Sequence, residues 1–505
     1  MSSSKVSAFL SESIDPRLQK HLFLPQIRRE LASGISDLSD VNKAHVVMLH
    51  DRAILSSKVA STVVRAILAL EAEGSAGVPA DGAREDVFFN YEARIIEMTG
   101  SENGGRMHTG RSRNDLKATQ NRMRARAAVL DILDGVLGVR TTMFERARAF
   151  ADVVMPGYTH LQPAQPITFG WYLMGLLHAF ERDHTRISQC YTRINMSPLG
   201  AGAIAGTPYP IDRAQTARLL GFDGLVAHTL DAVASRDYLM ELLSAVTLLT
   251  TTWGRLAQDF FVMTSYEFQT LDLPDRVAGT SSMMPQKKNM VVLEDLKASS
   301  AQLLGALATA VAGVKGTHFT NTVDGNSEAF RWAWDALDDT IDTLQVLDVV
   351  IASAAPKPDR MRALVETNFS TATDLADALV LRAGLPFREA HHVAGGVVRA
   401  AVSRGLTASG ITADLVSEVA RELTGSRIEI APSLLLEALA PELAAERRQG
   451  TGGPARADIE TMAAALERQL AHDRRQQAER KERLASAKRE LEAAVAALAG
   501  AETAG

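Results

Sequence analysis

The long runs of apolar residues at helical spacing are the feature that most constrains how this chain folds. Apolar side chains recur three and four positions apart, which places one face of a helix in a core. Aromatic residues make up only 5% of the sequence, and Ala, Leu, Arg and Glu fill the runs. An all-α protein with unusually long helices is therefore predicted. The clearest helices are predicted from Leu116 to Phe150, from Phe169 to Asn195, from Arg236 to Tyr266, from Met290 to Val314 and from Glu328 to Ser353.

The length of 505 residues predicts several structural regions, because a single hydrophobic core rarely serves a chain of this size. Helices this long usually lie in bundles where neighbours cover more than one face, so an oligomer is expected. The predicted regions are an N-terminal helical domain over 1–112, a central helical bundle and oligomer core over 113–365, a small C-terminal helical domain over 366–455 and a charged C-terminal helical extension over 456–505.

The extension after residue 455 admits two interpretations. It is Ala-rich and highly charged, with a weak heptad-like spacing of Ile459, Met462, Leu466 and Leu470. Such a sequence can form a coiled coil or bind a partner. The interpretation that we favour is a solvated helix that packs against its own subunit.

Charge and composition narrow the range of partners. The net charge is -6, and Lys and Arg are interspersed with Asp and Glu, so nucleic acid is not an expected partner. Apolar stretches fall well short of the roughly 20 residues that cross a membrane, and the N-terminal sequence lacks the apolar core of a secretion signal. A cytoplasmic location without membrane association is predicted, and the single cysteine, Cys190, suits a reducing compartment.

The sequence gives no reason to expect a metal or a cofactor. Its twelve histidines are scattered, and it contains no His-Glu-x-x-His pattern, Cys/His cluster or acidic calcium loop. The Gly-rich segment GAGAIAG lacks the Lys-Ser/Thr ending of a phosphate-binding loop. We therefore predict that the chain uses no metal and no cofactor.

One polar segment, GTSSMMPQKKN at 279–289, has the composition of a mobile loop that carries chemistry. Ser281 and Ser282 are hydroxyl groups whose ionised form nearby ammonium groups would favour. Lys287 and Asn289 offer hydrogen-bond donors to a substrate carboxylate. The same residues also suit a solvated linker, since Ser-Ser and Lys-Lys pairs are common on surfaces.

Three further segments share with this loop a resemblance to one enzyme family. The segments are HTGRSRND at 108–115, GYTHLQPAQPIT at 157–168 and PLGAGAIAG at 198–206. In order and spacing, the four motifs resemble those of the argininosuccinate lyase branch of the fumarase/aspartase superfamily. The resemblance implies a homotetramer whose long helices form a twenty-helix core, with active sites shared among three subunits and a dicarboxylate as substrate.

The resemblance also implies a role for each motif in eliminating fumarate from a succinyl group. Ser281 would remove the proton from the carbon beside a carboxylate, and Lys287 would stabilise the charge that forms. His160, with Thr159, would act in acid-base transfer, although an isolated histidine in such a turn is more often a capping or core residue. Substrate binding is implied for Ser112, Arg113, Asn114, Gln162, Ser282, Met284, Asn289, Phe319 and Asp324.

The sequence departs from the family where the rest of the substrate would bind. Phe319, Asp324 and Ser327 stand where argininosuccinate lyases have the Tyr, Gln and Lys that contact argininosuccinate. Each buried group of the substrate left unpaired would cost about 1 to 3 kcal/mol. We therefore predict a reversible carbon-nitrogen lyase for an N-substituted aspartate other than argininosuccinate. Lyases of this branch that cleave aminopolycarboxylic acids, such as ethylenediaminedisuccinate, provide a precedent.

Two other functions stay open. The chain could be the argininosuccinate lyase of arginine biosynthesis with a changed distal pocket. It could also be a non-catalytic scaffold on a lyase fold. The presence together of Arg113, Thr159, His160, Ser281 and Lys287 argues against a scaffold, because a scaffold needs none of these side chains.

Overall fold

The computed structural model describes Phe9 and residues 12–500, and most of this part of the chain is α-helical. Its strands form only two-stranded ribbons, so the predicted all-α class is confirmed. The strands are β1 (Val154–Thr159), β2 (Gln162–Thr168), β3 (Met196–Ser197), β4 (Gly224–Leu225), β5 (Leu271–Asp272), β6 (Gly279–Thr280), β7 (Lys288–Asn289) and β8 (Ala355–Pro356). The pairs β1–β2, β5–β8 and β6–β7 are antiparallel, whereas β3 and β4 run parallel.

The first helices enclose a hydrophobic core of their own. They are α1 (Pro16–Leu18), α2 (Leu24–Ala32), α3 (Ser36–Asp51), α4 (Ser57–Glu73), α5 (Val87–Thr99) and α6 (Ser101–Gly104). Ser56 caps α4 and Asp86 caps α5, because their side-chain oxygens accept the N–H groups of Val59 and Phe89. The apolar faces of these helices meet in the buried core.

The central part of the chain contains the long helices. Its helices are α7 (Arg113–Ala149), α8 (Phe169–Ile194), α9 (Arg213–Leu219), α10 (Thr229–Ala234), α11 (Asp237–Thr264), α12 (Val291–Val314) and α13 (Ala333–Ser353). All five predicted long helices are present as α7, α8, α11, α12 and α13. The last of them begins later than predicted, because a π-helix at Asp324–Glu328 and a turn precede it.

The long helices run between two ends of the bundle, which we call the Ser112 end and the His160 end. At the Ser112 end, the start of α7 meets the end of α8, where Arg122 donates to the carbonyl of Arg193 at 2.7 Å. At the His160 end, the last turn of α7 meets the end of α13, where Arg146 donates to the carbonyl of Ala354. Each segment that connects two long helices therefore lies at one of these ends. Residues 195–236 and 315–332 lie at the Ser112 end, and the β1–β2 ribbon and residues 265–290 lie at the His160 end.

The remaining helices form a smaller third core and a final long helix. They are α14 (Pro358–Thr367), α15 (Ala372–Ala383), α16 (Phe387–Ser403), α17 (Ala413–Thr424), α18 (Pro432–Leu439), α19 (Pro441–Glu446) and α20 (Arg456–Gly500). A proline opens α14, α18 and α19, where the missing N–H has no intrahelical partner to lose. The apolar residues of α15 to α18 pack together.

Helix α20 lies along its own chain for its whole length. Leu466 and Leu470 pack into the core of the long helices, and Leu491 and Val495 pack into the core of the N-terminal helices. Its main polar anchor is Asp473, whose carboxylate accepts a hydrogen bond of 2.6 Å from the fully buried Arg140. Helix α20 thus packs against its own chain, which is the arrangement that the sequence analysis favoured.

We expect Asp473→Asn to lower the free energy of unfolding by about 3 to 5 kcal/mol, because it leaves the guanidinium of Arg140 buried without a counter-charge. Urea unfolding of the wild-type protein and of Asp473→Asn measures this difference in the free energy of unfolding. Glu479→Gln is the matched control, since Glu479 is an exposed carboxylate on the same helix. Equal stability of Asp473→Asn and Glu479→Gln would contradict the role of this ion pair.

Candidate functional site

The start of α7 presents polar groups at the Ser112 end. The side-chain oxygen of Ser112 accepts the N–H of Asn114 at 3.2 Å, and the N–H of Ser112 donates to the carboxylate of Asp115 at 2.9 Å. These two N–H groups are thus paired within the chain, but the positive end of the α7 dipole still favours a negative charge nearby. The predicted binding residues Ser112 and Asn114 therefore lie where an anion is stabilised.

The buried carboxylate of Asp115 holds the Gly-rich segment 198–206, which we call the glycine connector, against the start of α7. Asp115 accepts the N–H groups of Gly200 and Gly202 at 2.9 and 3.0 Å. Both glycines have positive φ, 84° and 61°, a conformation that other residues rarely adopt. Burial raises the pKa of the Asp115 carboxyl, although hydrogen bonds from backbone N–H groups partly offset this. The glycine connector thereby lies beside Asn114, whose amide donates to the carbonyl of Ala203 at 3.1 Å.

Two side chains outside the predicted set extend this cluster. Asn321 donates to the side-chain oxygen of Asn114 at 2.8 Å, and Arg236 donates to the side-chain oxygen of Asn321 at 3.1 Å. Arg236 is buried. Asn321 lies in the same segment as Phe319, Asp324 and Ser327, the residues at which the sequence departs from the family. Arg236 carries no sequence signal that separates it from the other arginines.

Arg113 is already paired within the single chain. Its Nη1 lies 2.9 Å from the carboxylate of Asp86 and 3.3 Å from that of Glu85, and its guanidinium stacks on Phe89 at 4.0 Å. Burial opposes ionisation of Asp86, but Lys117 and Arg113 outweigh it and hold the pKa of that carboxyl below its ordinary value. A substrate carboxylate bound by Arg113 would thus share the guanidinium with Asp86.

The predicted residues Phe319 and Asp324 also lie at the Ser112 end. Asn321 binds Asn114, and Asn326 accepts from Asn121 at 3.0 Å, so the segment runs along the first turns of α7. Phe319 and Asp324 are exposed on this segment.

At the opposite end, the β1–β2 ribbon ends in a strained turn. Thr159 pairs with Gln162, so His160 and Leu161 are the two turn residues, with φ of 55° and 56°. Two-residue turns of this kind favour Asn and Gly, and a non-glycine residue at positive φ costs about 1 to 3 kcal/mol. All four of these residues are exposed in the single chain. The turn therefore projects the predicted imidazole of His160 away from the chain that carries it.

The loop predicted to carry chemistry is a short ribbon at the same end. The hydroxyl oxygen of Ser281 accepts the N–H groups of Met283 and Met284 at 3.4 and 3.0 Å. Ser282 and Met284 are exposed beside it. At the base of the ribbon, Asn289 donates to the carbonyl of Thr280 at 3.2 Å.

The two neighbouring lysines of this loop have different surroundings. Lys288 lies 3.1 Å from the carboxylate of Asp275 and 3.5 Å from that of Asp272, which anchors the ribbon to the preceding segment. Lys287 is exposed on the same loop. Its ammonium group is thus available to a substrate, as its predicted role requires.

One chain does not bring the two groups of predicted residues together. Helix α7 has 37 residues and, at about 1.5 Å per residue, is about 55 Å long. Ser112, Arg113 and Asn114 lie at its start, whereas β1 leaves from its far end and spans only about 20 Å. A site that combines Asn114 with His160 therefore needs more than one copy of the chain.

Within Phe9 and 12–500, no group of three or more His, Cys, Asp or Glu side chains could hold a metal ion. Among the helices in that part of the chain, none has both the length and the apolar character needed to cross a bilayer.

Comparison with known proteins gives consistent matches. The Lyase family profile matches residues 27–305, and the Argininosuccinate lyase C-terminal profile matches residues 369–443. Argininosuccinate lyase 1 of Shouchella clausii (strain KSM-K16) is 39% identical over 95% of this chain and 96% of its own length. The crystal structure of EDDS lyase in complex with formate superposes with a TM-score of 0.86 at 31% identity, and covers 97% of this chain and 96% of its own. A doubly substituted EDDS lyase with bound fumarate gives the same TM-score and identity, with 97% of each chain covered.

The pH dependence of stability tests the environment of His108, the first residue of HTGRSRND. Burial, with further repulsion from Arg111 and Arg113, lowers the pKa of this imidazole to about 4. The unfolded chain takes up the proton near the ordinary value of about 6.5, so stability falls as the pH drops from about 6.5 towards 4. We expect His108→Gln to remove up to roughly 2 to 3 kcal/mol of that fall. Urea unfolding at several pH values measures it, and parallel pH profiles for the two proteins would contradict it.

Proposed function

Because this chain belongs to the argininosuccinate lyase branch of the fumarase/aspartase superfamily, and is thus a carbon-nitrogen lyase, we propose that it releases fumarate from an N-substituted aspartate. The observation that carries the proposal is the pair of polar clusters at opposite ends of α7. One offers the positive end of α7 and a guanidinium to carboxylates, and the other offers an imidazole, a hydroxyl and an ammonium group. A doubly substituted EDDS lyase with bound fumarate supports fumarate as the dicarboxylate.

We propose that Ser112, Arg113 and Asn114 bind one carboxylate, and that the 279–289 loop binds the other. The positive end of the α7 dipole at Ser112 favours an anion, which would share the guanidinium of Arg113 with Asp86. The loop adds the ammonium of Lys287 and the amide of Asn289. Gln162, Ser282 and Met284 would complete the walls of the site.

In the proposed reaction, Ser281 in its alkoxide form removes a proton from the methylene carbon of the aspartyl group. The electron pair moves into the adjacent carboxylate, which then carries two negative charges on its oxygens. The pair returns to form the carbon-carbon double bond while the carbon-nitrogen bond breaks. The nitrogen keeps the bonding pair and takes a proton that His160 delivers through Thr159 or water, so the products are fumarate and the free amine.

Local donors support Ser281 in this role. Its oxygen already accepts the N–H groups of Met283 and Met284, and both would also stabilise an alkoxide. A serine hydroxyl is otherwise far too weak an acid at neutral pH. The exposed Lys287 would add positive charge when the loop closes over bound substrate.

We propose that the protein is a homotetramer whose sites are shared between subunits. Helix α12 is apolar on most of its surface, yet Leu304 and Val311 remain exposed in the single chain. Val346 and Val349 of α13 are exposed as well. A helix that is apolar all round is expected to be covered on every side, and copies of the same chain would supply that cover.

We propose that the reaction takes place in the cytoplasm. Cys190 is the single cysteine of the sequence and is buried as a free thiol. A protein without disulfides suits a reducing compartment. The pKa of the Cys190 thiol is raised by burial to about 11, so this thiol is unreactive at neutral pH.

We propose that the amine part of the substrate differs from that of argininosuccinate. Argininosuccinate ends in an amino acid group that carries a carboxylate beside an ammonium. The segment 317–328 at the Ser112 end contains Asp324 and Glu328 but no Lys or Arg, so it repels that carboxylate and offers it no cation to pair with. Argininosuccinate is the second candidate, because the relative from Shouchella clausii carries the name of that activity.

The chemical proposal predicts fumarate release that depends on Ser281. Purified protein is given N-substituted aspartates and, separately, argininosuccinate, and fumarate is followed by its ultraviolet absorbance. We expect Ser281→Ala to lower the rate by about 10² to 10⁴-fold, since it removes the base. Ser403→Ala, at an exposed serine in α16, serves as the control. No fumarate from any of these compounds would favour a non-catalytic scaffold, and rapid release from argininosuccinate would favour the second candidate.

The shared site predicts that two inactive variants restore each other. Asn114→Ala and His160→Ala damage opposite ends of α7, so a mixed tetramer contains some sites with both residues intact. Random mixing of equal amounts gives about a quarter of the wild-type activity, since each of the two residues is intact in half of the copies. Ser112→Ala mixed with Asn114→Ala is the control, because both changes fall in the same cluster and no site escapes. Equal behaviour of the two mixtures would contradict a site shared between copies.

A further inference from the structure

We infer that Arg236 is a positioning residue for the first substrate carboxylate. Its guanidinium sets the orientation of two amide side chains, Asn321 and then Asn114, so that Asn114 offers the carboxylate an N–H donor instead of its oxygen. We call these three hydrogen-bonded side chains the amide relay. The inference rests on the proposed function, because it concerns the carboxylate that Asn114 is proposed to bind together with Ser112 and Arg113.

The relay begins at a buried group that can only donate hydrogen bonds. Arg236 lies directly before α11 and is buried. One Nη atom donates to the carbonyl of Ser235 at 2.6 Å, and the other donates to the side-chain oxygen of Asn321 at 3.1 Å. A guanidinium has no acceptor atom. Asn321 must therefore turn its oxygen towards Arg236, and its NH2 group faces the other way.

The orientation of Asn321 in turn determines that of Asn114. The NH2 group of Asn321 donates to the side-chain oxygen of Asn114 at 2.8 Å. The nitrogen of Asn114 is thus turned away from Asn321, and it donates to the carbonyl of Ala203 at 3.1 Å. An amide nitrogen carries two hydrogens, so Asn114 keeps one N–H for a carboxylate. In the reverse orientation it would present its oxygen, which repels a carboxylate.

The relay does not depend on how copies of the chain assemble. Arg236, Asn321 and Asn114 belong to one chain, and each link is a hydrogen bond within that chain. The orientation of the Asn114 amide is therefore set before another copy completes the site. Such preorganisation lowers the cost of ordering the site when the carboxylate binds.

The charge of Arg236 gives the relay a second effect. Both acceptors of its Nη atoms are neutral, and its Nε atom has no hydrogen-bond partner within the part of the chain that the structure describes. A buried charge is costly unless an opposite charge lies nearby, and a carboxylate bound at Asn114 would supply one. Hydrogen bonds in a chain polarise one another, so the guanidinium also strengthens the N–H that Asn114 offers.

The test compares the binding of succinate with that of succinamate, in which a primary amide replaces one carboxylate. Isothermal titration of the purified protein gives Kd for each compound. Succinamate brings an NH2 group to a site that offers donors, so we expect the wild-type protein to bind succinate about tenfold more tightly. In Arg236→Gln, whose amide can turn either way, only Ala203 still orients Asn114. The preference should then fall by about threefold or more.

Two further variants of the relay make the test specific. Arg236→Lys again has donors only at this position, so it should keep most of the wild-type preference for succinate. Asn321→Leu interrupts the relay while leaving Arg236 in place, so its preference should fall as in Arg236→Gln. It also provides the result if Arg236→Gln does not fold.

The matched control is Arg126→Gln. Arg126 is another buried arginine at the Ser112 end, and it donates to the side-chain oxygen of Asn195 and to the carbonyl of Leu220. Its loss removes a buried guanidinium but leaves the relay intact. The preference for succinate should therefore stay at the wild-type value.

Three results would overturn the role of Arg236 while leaving the dicarboxylate site in place. They are a wild-type preference near one, a preference that survives both Arg236→Gln and Asn321→Leu, and an equal fall in Arg126→Gln. A purely structural role would weaken the binding of succinate and succinamate alike, so the ratio would not change. If the wild-type protein binds neither succinate nor fumarate, the proposed function itself fails.

Discussion

The length of α7 is the constraint on which the arrangement of the site depends. A helix of 37 residues keeps its ends far apart, and it packs against α8, α13 and α20. Short helices would allow one chain to fold its polar clusters together. In the proposed arrangement, each copy supplies one kind of chemical group at each end, and a complete site forms only between copies.

Within each end, backbone hydrogen bonds set the geometry more than contacts between functional side chains do. The buried carboxylate of Asp115 joins the helix start to the glycine connector through three N–H groups. The strained turn at His160 and Leu161 is held by the pairing of Thr159 with Gln162. In both places the backbone that carries the polar groups is held before any ligand arrives, which reduces the ordering that binding requires.

Much of the fold could be predicted from the sequence because helical periodicity is a local property. The five long helices depend on apolar spacing, which each segment carries by itself. The partners of Arg113 and the link from Asn114 to Arg236 depend on which segments meet in the folded chain, so no local pattern reveals them. Residue chemistry alone does not separate Lys287 from Lys288; only the resemblance to the family singles out Lys287, and the structure adds that Lys288 pairs with Asp272 and Asp275. The positive φ of His160 and Leu161 could not be predicted either, since neither His nor Leu favours such a turn.

Helix α20 has a consequence for the order in which the molecule can become native. Leu491, Val495 and Leu498 belong to the same buried core as Val63, Ile67 and Tyr91, yet the ribosome makes them some four hundred residues later. While the chain is being synthesised, the N-terminal helices therefore expose the apolar surface that α20 finally covers, and they stay open to wrong partners during that time. The N-terminal core is therefore completed only when α20, the last helix to be synthesised, packs against it.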